Sequence, residues 1–220
     1  MVSHKFSELD SGNDSRFLSK VCGITNLEDA LLSVELGANC LGFNFYPKSP
    51  RFLKPRVAAR IIERLPQEVI FFGIMVLGRD GADVWRELEG LLDGLQVHGA
   101  RDDAELAEFG DMPLLVAIAP DQAEEFPNRS VIVDTSWGTG RLTSWDQVAR
   151  IRRPFVLSGG LTADNVADAI CILRPLGVDV CSGVERSPGR KDPEKLSRFL
   201  AAVRNSVCLA GADERKGSRR

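Results

Sequence analysis

The feature that most constrains the fold is an alternation of short apolar runs with helical segments, which repeats along most of the chain. Eight runs of strand length are each followed by a stretch with helical spacing. The runs are nearly continuous in apolar residues, as is typical of parallel strands that are covered on both faces. In the first unit, "KVCGI" is followed by Thr25 and Glu28, whose capping-box spacing predicts the start of a helix.

Eight such units without a break in composition favour a closed barrel over an open doubly wound sheet. No G-x-G-x-x-G fingerprint follows the first run and no Walker A loop occurs, so the commonest reasons to expect the open sheet are missing. We therefore predict an α/β protein with a single (β/α)8 TIM barrel over residues 19–205, whose last helix lies near 192–204. Residues 1–18 and 206–220 are polar and aperiodic, and they are predicted to be a frayed N-terminal extension and a polar C-terminal tail.

The composition of the chain limits the classes of function that it can have. The 220 residues are 44% hydrophobic and carry a net charge of −3, so no basic field indicates a nucleic-acid partner. The longest apolar stretch, at 69–78, is too short to span a bilayer, and the N-terminus lacks the apolar segment of a secretory signal. We expect a cytoplasmic protein with neither a nucleic-acid nor a membrane partner.

The cysteines indicate neither a disulfide framework nor a zinc site. There are five, an odd number, with no Cys-x-x-Cys pair, and only two histidines accompany them. Cys40 and Cys181 lie in or beside apolar runs and Cys171 in a helix, so all three are assigned to the core. Cys22 has two interpretations, an inert buried thiol or a base or nucleophile at the end of a strand.

In a barrel of this kind the active site is built from the residues that follow each strand. Reactive side chains collect at these positions, which predicts one polar mouth: Cys22 after strand 1, Arg51 in the loop after strand 2, Gln96 and His98 at strand 4, Asp134 at strand 6. An unpaired buried carboxylate is costly, so Asp134 needs a polar partner or a proton. Arg51 suits a substrate carboxylate or phosphate, but it is equally compatible with a solvated loop, and His98 with a structural role.

Glycines follow the last two strands. Gly159 and Gly160 come after strand 7, and Ser182 and Gly183 after strand 8. Glycines let backbone N–H groups approach an anion closely, and the loops after strands 7 and 8 are the recurrent phosphate site of this fold. Tight turns without a ligand explain the same residues. Asp179 also interrupts the eighth run, and a structural hydrogen-bonding role explains it at least as well as a role in the site.

Six motifs lie in order over residues 20–200: "KVCGITNLEDA", "GFNFYPKSPR", "LQVHG", "VDTSWGTG", "VLSGGLTADNV" and "VDVCSGVERSPGRKD". Together they resemble, in the same order, the motifs of a known family, the phosphoribosylanthranilate isomerases of tryptophan biosynthesis. The resemblance implies an Amadori rearrangement without a cofactor or a metal, with Cys22 as general base and Asp134 as general acid. It further implies that Arg51 holds the anthranilate carboxylate, that His98 contacts the substrate, and that the loops at Gly159, Gly160, Ser182 and Gly183 hold the phosphate of a small phosphosugar.

The chain departs from the family pattern in two loops. The loop after Asp134 is short and contains Trp137, and "GIMVLGRD" lacks the asparagine often found after strand 3. Three alternatives remain open: the histidine-pathway isomerase that runs the same rearrangement, a non-catalytic phosphosugar-binding barrel, and a flavin- or metal-dependent barrel enzyme. Cys22 argues against the first, because that isomerase resembles a site with aspartates as acid and base. The expected assembly is a monomer or a homodimer.

Overall fold

Eight parallel strands close into one barrel. The computed structural model describes residues 17–78, 84–88, 90–134 and 145–217, with side chains through residue 207. The strands follow one another in chain order, and β1 pairs with β8 to close the sheet. Their bounds are β1 (Leu18–Val21), β2 (Cys40–Asn44), β3 (Ile70–Val76), β4 (Gly94–His98), β5 (Leu114–Ile118), β6 (Ser130–Asp134), β7 (Val156–Ser158) and β8 (Gly177–Val180). The predicted fold class is confirmed.

The helical layer is less regular than the sequence predicts. The α-helices are α1 (Leu27–Glu35), α2 (Pro55–Ile62), α3 (Trp145–Val148), α4 (Val166–Leu173) and α5 (Pro193–Gly217). The segments after β3, β4 and β5 instead form 3-10 helices at Val84–Leu88, Ala104–Phe109 and Pro120–Gln122. Gly90 and Gly110, both with positive φ, stand shortly after the first two of these segments. These 3-10 helices are five, six and three residues long, and 3-10 helices rarely extend much further.

The first helix begins one residue later than the capping-box pattern predicts. Asn26, not Thr25, is the N-cap, because its Oδ1 accepts a hydrogen bond from the N–H of Asp29 at 2.9 Å. The Thr25 hydroxyl donates to the carbonyl oxygen of Gly189 at 2.5 Å. A distant loop therefore occupies the hydroxyl that the pattern assigned to the cap.

Both ends of the barrel unit differ from the predicted bounds. Leu18 lies in β1 with 1% of its surface exposed, and Phe17 packs against the core, so these last two residues of the predicted extension belong to the barrel. At the other end, α5 continues beyond 204 to Gly217, through part of the segment predicted as an aperiodic tail. Alanine, glutamate, arginine and lysine in "LAGADERKG" favour a helix even where no apolar stripe repeats.

The barrel interior changes character along its axis. Near the amino ends of the strands it is filled by apolar side chains: Leu18, Cys40, Ile70, Phe72, Leu115, Ala117, Ile132 and Val156. One layer further up it contains Lys20, Gln96 and Asp179, which are all buried. Because alternate residues of a strand face the same side, Leu18, Lys20 and Cys22 follow one another up the inside of the barrel. Above the apolar floor, the interior therefore becomes charged.

A hairpin that the sequence analysis did not predict follows β8. Strands β9 (Glu185–Ser187) and β10 (Arg190–Lys191) pair antiparallel around Pro188 and Gly189, and Gly189 has a φ of 76°. Within the described ranges, no helix combines the length and the apolar character that crossing a membrane requires.

Candidate active site

A cavity of about 170 Å³ opens at the carboxyl ends of the strands. All eight predicted site residues line it: Cys22, Arg51, His98, Asp134, Gly159, Gly160, Ser182 and Gly183. A larger cavity, of about 260 Å³, lies at the opposite end of the barrel, at the amino ends of β1, β6 and β7. There the guanidinium of Arg153 donates to the carbonyl oxygens of Ala123, Phe126 and Arg129. The reactive groups therefore collect in the smaller cavity.

Cys22 is held at the floor of this mouth by backbone pairing. Its N–H donates to the carbonyl oxygen of Val180 at 2.9 Å, which continues the β1–β8 ladder past the end of β1. Gly42 on β2 leaves the room that the thiol needs. A Cβ added at Gly42 would lie 3.0 Å from Cys22 Sγ and 3.1 Å from Lys20 Nζ. The thiol and the ammonium group thus share one small space over the backbone of β2.

The surroundings of Cys22 favour its thiolate. The largest effect on Cys22 is a hydrogen bond from Cys181, which lowers its pKa. Burial raises the pKa, whereas the positive charges of Lys20 and Lys191 lower it further. The resulting pKa is about 7. The same hydrogen bond and burial raise the pKa of Cys181 well above its ordinary value. Of the two neighbouring thiols, Cys22 therefore has the lowered pKa and Cys181 the raised one.

Beneath Cys22, Lys20 and Asp179 form a buried ion pair. Lys20 Nζ lies 2.7 Å from Asp179 Oδ1, and both side chains are almost completely buried. The hydroxyl of Ser158 donates to the other carboxylate oxygen of Asp179 at 3.0 Å. Lys20 and Ser158 thus each donate to one carboxylate oxygen of Asp179, and Lys20 adds a positive charge directly below the cavity.

The ion pair also fixes the hydrogen-bonding state of His98. Lys20 can only donate, and its Nζ lies 2.8 Å from Gln96 Oε1, so the amide Nε2 of Gln96 faces His98. That amide lies 2.9 Å from His98 Nε2, which must accept. Burial lowers the pKa of His98, and the opposing charge of Asp134 is a smaller effect. The imidazole is therefore neutral near pH 7 and carries its proton on Nδ1.

Arg51 is clamped by Glu185 of the β9–β10 hairpin. Arg51 Nε and Nη2 donate to the two carboxylate oxygens of Glu185, the shortest contact being 2.6 Å. Lys191 donates to the same carboxylate at 3.2 Å and to the carbonyl oxygen of Cys22 at 2.6 Å. Although burial opposes the shift, these cationic donors lower the pKa of Glu185. The hairpin thereby sets the position of Arg51, whose Nη1 lies outside this ion pair.

The loops after β7 and β8 touch through their backbones. A Cβ added at Gly183 would lie 1.9 Å from the carbonyl oxygen of Leu161, so only glycine permits this approach. Gly159 and Gly160 have φ values of 94° and 62°, in the region that favours glycine. Asn165 Nδ2 donates to the carbonyl oxygen of Gly160 at 3.0 Å and secures the turn. The result is a backbone-lined corner of the kind that suits an oxyanion.

Asp134 ends β6, opposite Ser158 in the register with β7, and lines the cavity three strands away from Cys22. The loop that follows it, with Trp137, lies at 135–144, outside the described residues. Within the described part of the chain, no cluster of three or more histidine, cysteine, aspartate or glutamate side chains could hold a metal ion.

Sequence reasoning missed several residues of the site. Lys20, Glu185 and Lys191 were not singled out, and Cys181 was wrongly assigned to the core: it is half-buried and lines the cavity. The alternation of side chains along a strand could have identified two of them. Lys20 stands two residues from Cys22 and therefore faces the same side of its strand, and Cys181 stands in the same way two residues from Asp179. The partners of Lys20 and Arg51 lie 159 and 134 residues away along the chain, and no local pattern connects them.

Comparisons with known proteins agree with this geometry. Residues 19–202 match the family model described as N-(5′-phosphoribosyl)anthranilate isomerase. The chain belongs to this family. The isomerase of Syntrophus aciditrophicus is 38% identical over 212 residues, covering 90% of this chain and 91% of the relative. That of Geobacter sp. strain M21 is 41% identical over 198 residues, covering 84% and 97%.

Solved structures of the family superpose on the barrel. The phosphoribosyl anthranilate isomerase of Thermotoga maritima is 34% identical, with a TM-score of 0.79 over 86% of this chain and all of that one. A phosphoribosyl anthranilate isomerase in complex with reduced 1-(o-carboxyphenylamino)-1-deoxyribulose 5-phosphate is 33% identical, with a TM-score of 0.76 and the same coverage. The sequence-based prediction of the family and of its isomerase activity in tryptophan biosynthesis is confirmed.

Proposed function

We propose that this chain converts N-(5′-phosphoribosyl)anthranilate to 1-(2-carboxyphenylamino)-1-deoxyribulose 5-phosphate, with Cys22 as general base and Asp134 as general acid. The observation that carries the assignment is that Cys22 and the strand-end carboxyl group of Asp134 line one cavity. The surroundings of Cys22 also lower its pKa to about 7. A base is most effective when its pKa lies near the working pH.

The two groups suffice for the rearrangement. Asp134, when protonated, donates to the ribose ring oxygen, the bond from that oxygen to C1′ breaks, and an iminium ion forms. The Cys22 thiolate then removes the proton from C2′ to give an enolamine, which tautomerises to the ketose product. Asp134 loses one proton and Cys22 gains one, so the reaction needs neither a redox cofactor nor a metal.

The other groups bind and orient the substrate. Arg51 directs its free Nη1 to the anthranilate carboxylate, and the touching glycine loops at Gly160 and Gly183 receive the phosphate. The Nδ1–H of the neutral His98 is a hydrogen-bond donor that does not compete with Asp134 for the proton. Lys20 and Lys191 add positive charge that favours the thiolate of Cys22 over its thiol.

We further infer that the protein acts in the cytoplasm as a monomer or a homodimer, with a small phosphosugar as its substrate and without a nucleic-acid or membrane partner. One structural relative with a TM-score of 0.72 is described as monomers generated from the dimeric isomerase of Thermotoga maritima, which supports a dimer as one native state in the family.

The activity is tested by adding freshly formed phosphoribosylanthranilate to the purified protein and following the decay of anthranilate-type fluorescence. The Cys22→Ser variant nearly preserves side-chain size and removes the base, so its turnover should fall roughly 10²-fold. Cys171→Ser changes an exposed thiol on α4 and should match the wild type. Equal turnover in wild type and Cys22→Ser, or conversion of the histidine-pathway substrate alone, would contradict the proposal.

A further inference from the structure

Two cysteines face each other where β1 and β8 close the barrel. Val21 and Val180 are paired across the ladder, and the N–H of Cys22 donates to the carbonyl oxygen of Val180. One residue further along, Cys22 therefore stands opposite Cys181. Neighbouring strands lie about 4.8 Å apart, and a disulfide spans Cα atoms about 4.4–6.8 Å apart. The backbone geometry thus permits a bond between the two sulfur atoms.

The side chains meet the same requirement. Both line the cavity at the carboxyl ends of the strands, and each thiol shifts the pKa of the other. Cys181 Sγ also lies 3.8 Å from Glu185 Oε1, and Gly23 must lack a side chain because a Cβ there would lie 2.9 Å from this sulfur. Cys181 is half-buried and Cys22 keeps 8% of its surface exposed at the cavity wall, which leaves a route for a small oxidant.

The two thiols differ in the way that a reactive pair requires. Cys22 is the thiol that ionises near neutral pH, and Cys181 stays protonated beside it. A thiolate reacts with a peroxide to give a sulfenic acid, and a neighbouring thiol then condenses with the sulfenic acid to form a disulfide. Cys40 is completely buried in the apolar floor and burial raises its pKa, while Cys171 lies exposed on α4, well away from the mouth.

We propose that Cys22 and Cys181 form a reversible redox-active dithiol whose oxidant is a hydroperoxide and whose disulfide form lacks the catalytic base. The Cys22 thiolate attacks the terminal oxygen of the hydroperoxide and the O–O bond breaks. The other oxygen leaves as an alkoxide, or as hydroxide from hydrogen peroxide, and Cys22 becomes a sulfenic acid. The sulfur of Cys181 then attacks the Cys22 sulfur, and the S–O bond breaks. The hydroxyl group departs with the Cys181 proton as water, and a disulfide remains. An external dithiol reverses the change by thiol–disulfide exchange.

Formation of the disulfide is independent of the proposed isomerase reaction, whereas the accompanying loss of activity rests on the proposed role of Cys22. The two are measured separately. Wild type, Cys181→Ser, Cys181→Ala and Cys171→Ser are treated with hydrogen peroxide, alkylated under denaturing conditions, digested and analysed by mass spectrometry. Each sample is also assayed for turnover before oxidation, after it, and after incubation with dithiothreitol.

We expect a Cys22–Cys181 cross-link in the wild type and in Cys171→Ser, with turnover falling roughly 10²-fold and returning with dithiothreitol. In both Cys181 variants we expect no cross-link and further oxidation of Cys22 to sulfinic acid, which dithiothreitol does not reverse. The redox-active dithiol is overturned if the wild type forms no cross-link. It is also overturned if dithiothreitol restores the turnover of the Cys181 variants as fully as that of the wild type. A cross-link that leaves turnover unchanged overturns instead the role of Cys22 as base.

Discussion

At the scale of single residues, the chemistry of the mouth depends on which groups surround Cys22. A buried thiol ordinarily resists ionisation, yet here Cys181 donates a hydrogen bond to it and two lysines place positive charge nearby. Lys20 has a second effect, because through Gln96 it makes His98 Nε2 an acceptor. The orientation of the site is therefore fixed by residues that do not themselves react.

The hydrogen bond from Cys181 leads to a prediction about pH dependence. The active form of Cys22 is the thiolate, so kcat/KM should fall as the pH drops below about 7. Cys181→Ala removes the donor that contributes most to lowering the pKa of Cys22, and the acid limb should move to higher pH. Cys181→Ser keeps an O–H donor and should shift the limb less. Coincident profiles of wild type and Cys181→Ala, measured under fully reducing conditions, would show that the hydrogen bond has no such effect.

At the scale of elements, the strands were readable from the sequence and the helices less so. Continuous apolar runs identify strands that are buried on both faces, and all eight were found close to their observed bounds. The described parts of the connections after β3, β4 and β5 contain short 3-10 helices, because helical spacing over so few residues does not force an α-helix. The hairpin at Glu185–Lys191 was missed, since its strands are too short to show a period.

The contact between the loops after β7 and β8 gives a prediction for phosphate binding. Gly183→Ala would place a Cβ 1.9 Å from the Leu161 carbonyl oxygen and force the two loops apart. Losing one hydrogen bond to a charged group costs about 1.5–3 kcal/mol, so KM for the phosphosugar should rise roughly tenfold or more. Gly110→Ala is the matched control, because it strains a positive-φ glycine that faces open space far from the mouth. Equal KM values in the two variants would show that the phosphate does not bind between these two loops.

At the scale of the whole molecule, the pairing of the first and last strands both closes the barrel and brings residues of the site together. The seam between β1 and β8 brings Lys20 opposite Asp179, and Cys22 and Cys181 follow directly after its last paired residues, Val21 and Val180. The sequence revealed the barrel and the residues at its mouth because each follows a recognisable strand. It did not reveal Lys20 as a partner of Asp179, because that pairing exists only when the first and last strands meet.

The buried ion pair predicts how the seam contributes to stability. Lys20→Met leaves the carboxylate of Asp179 in the interior without its cation and should lower the free energy of unfolding by about 3–5 kcal/mol, as measured in urea. The double variant Lys20→Met with Asp179→Leu removes the stranded charge and should recover much of the loss. Arg198→Met breaks the exposed pair with Asp164 and should cost less than about 1 kcal/mol. A Lys20→Met loss as small as that of Arg198→Met would show that the pair is not needed for closure.

The measurement that tests the acid–base assignment most directly is the turnover of Asp134→Asn set against its affinity for the reduced product analogue. Asparagine keeps the shape of the side chain but cannot protonate the ribose ring oxygen effectively. The account predicts that kcat falls roughly 10²–10⁴-fold while Kd for the analogue changes only a few-fold. Normal turnover in this variant, or a proportional loss of binding and turnover, would contradict the account and leave Asp134 as a structural or binding residue.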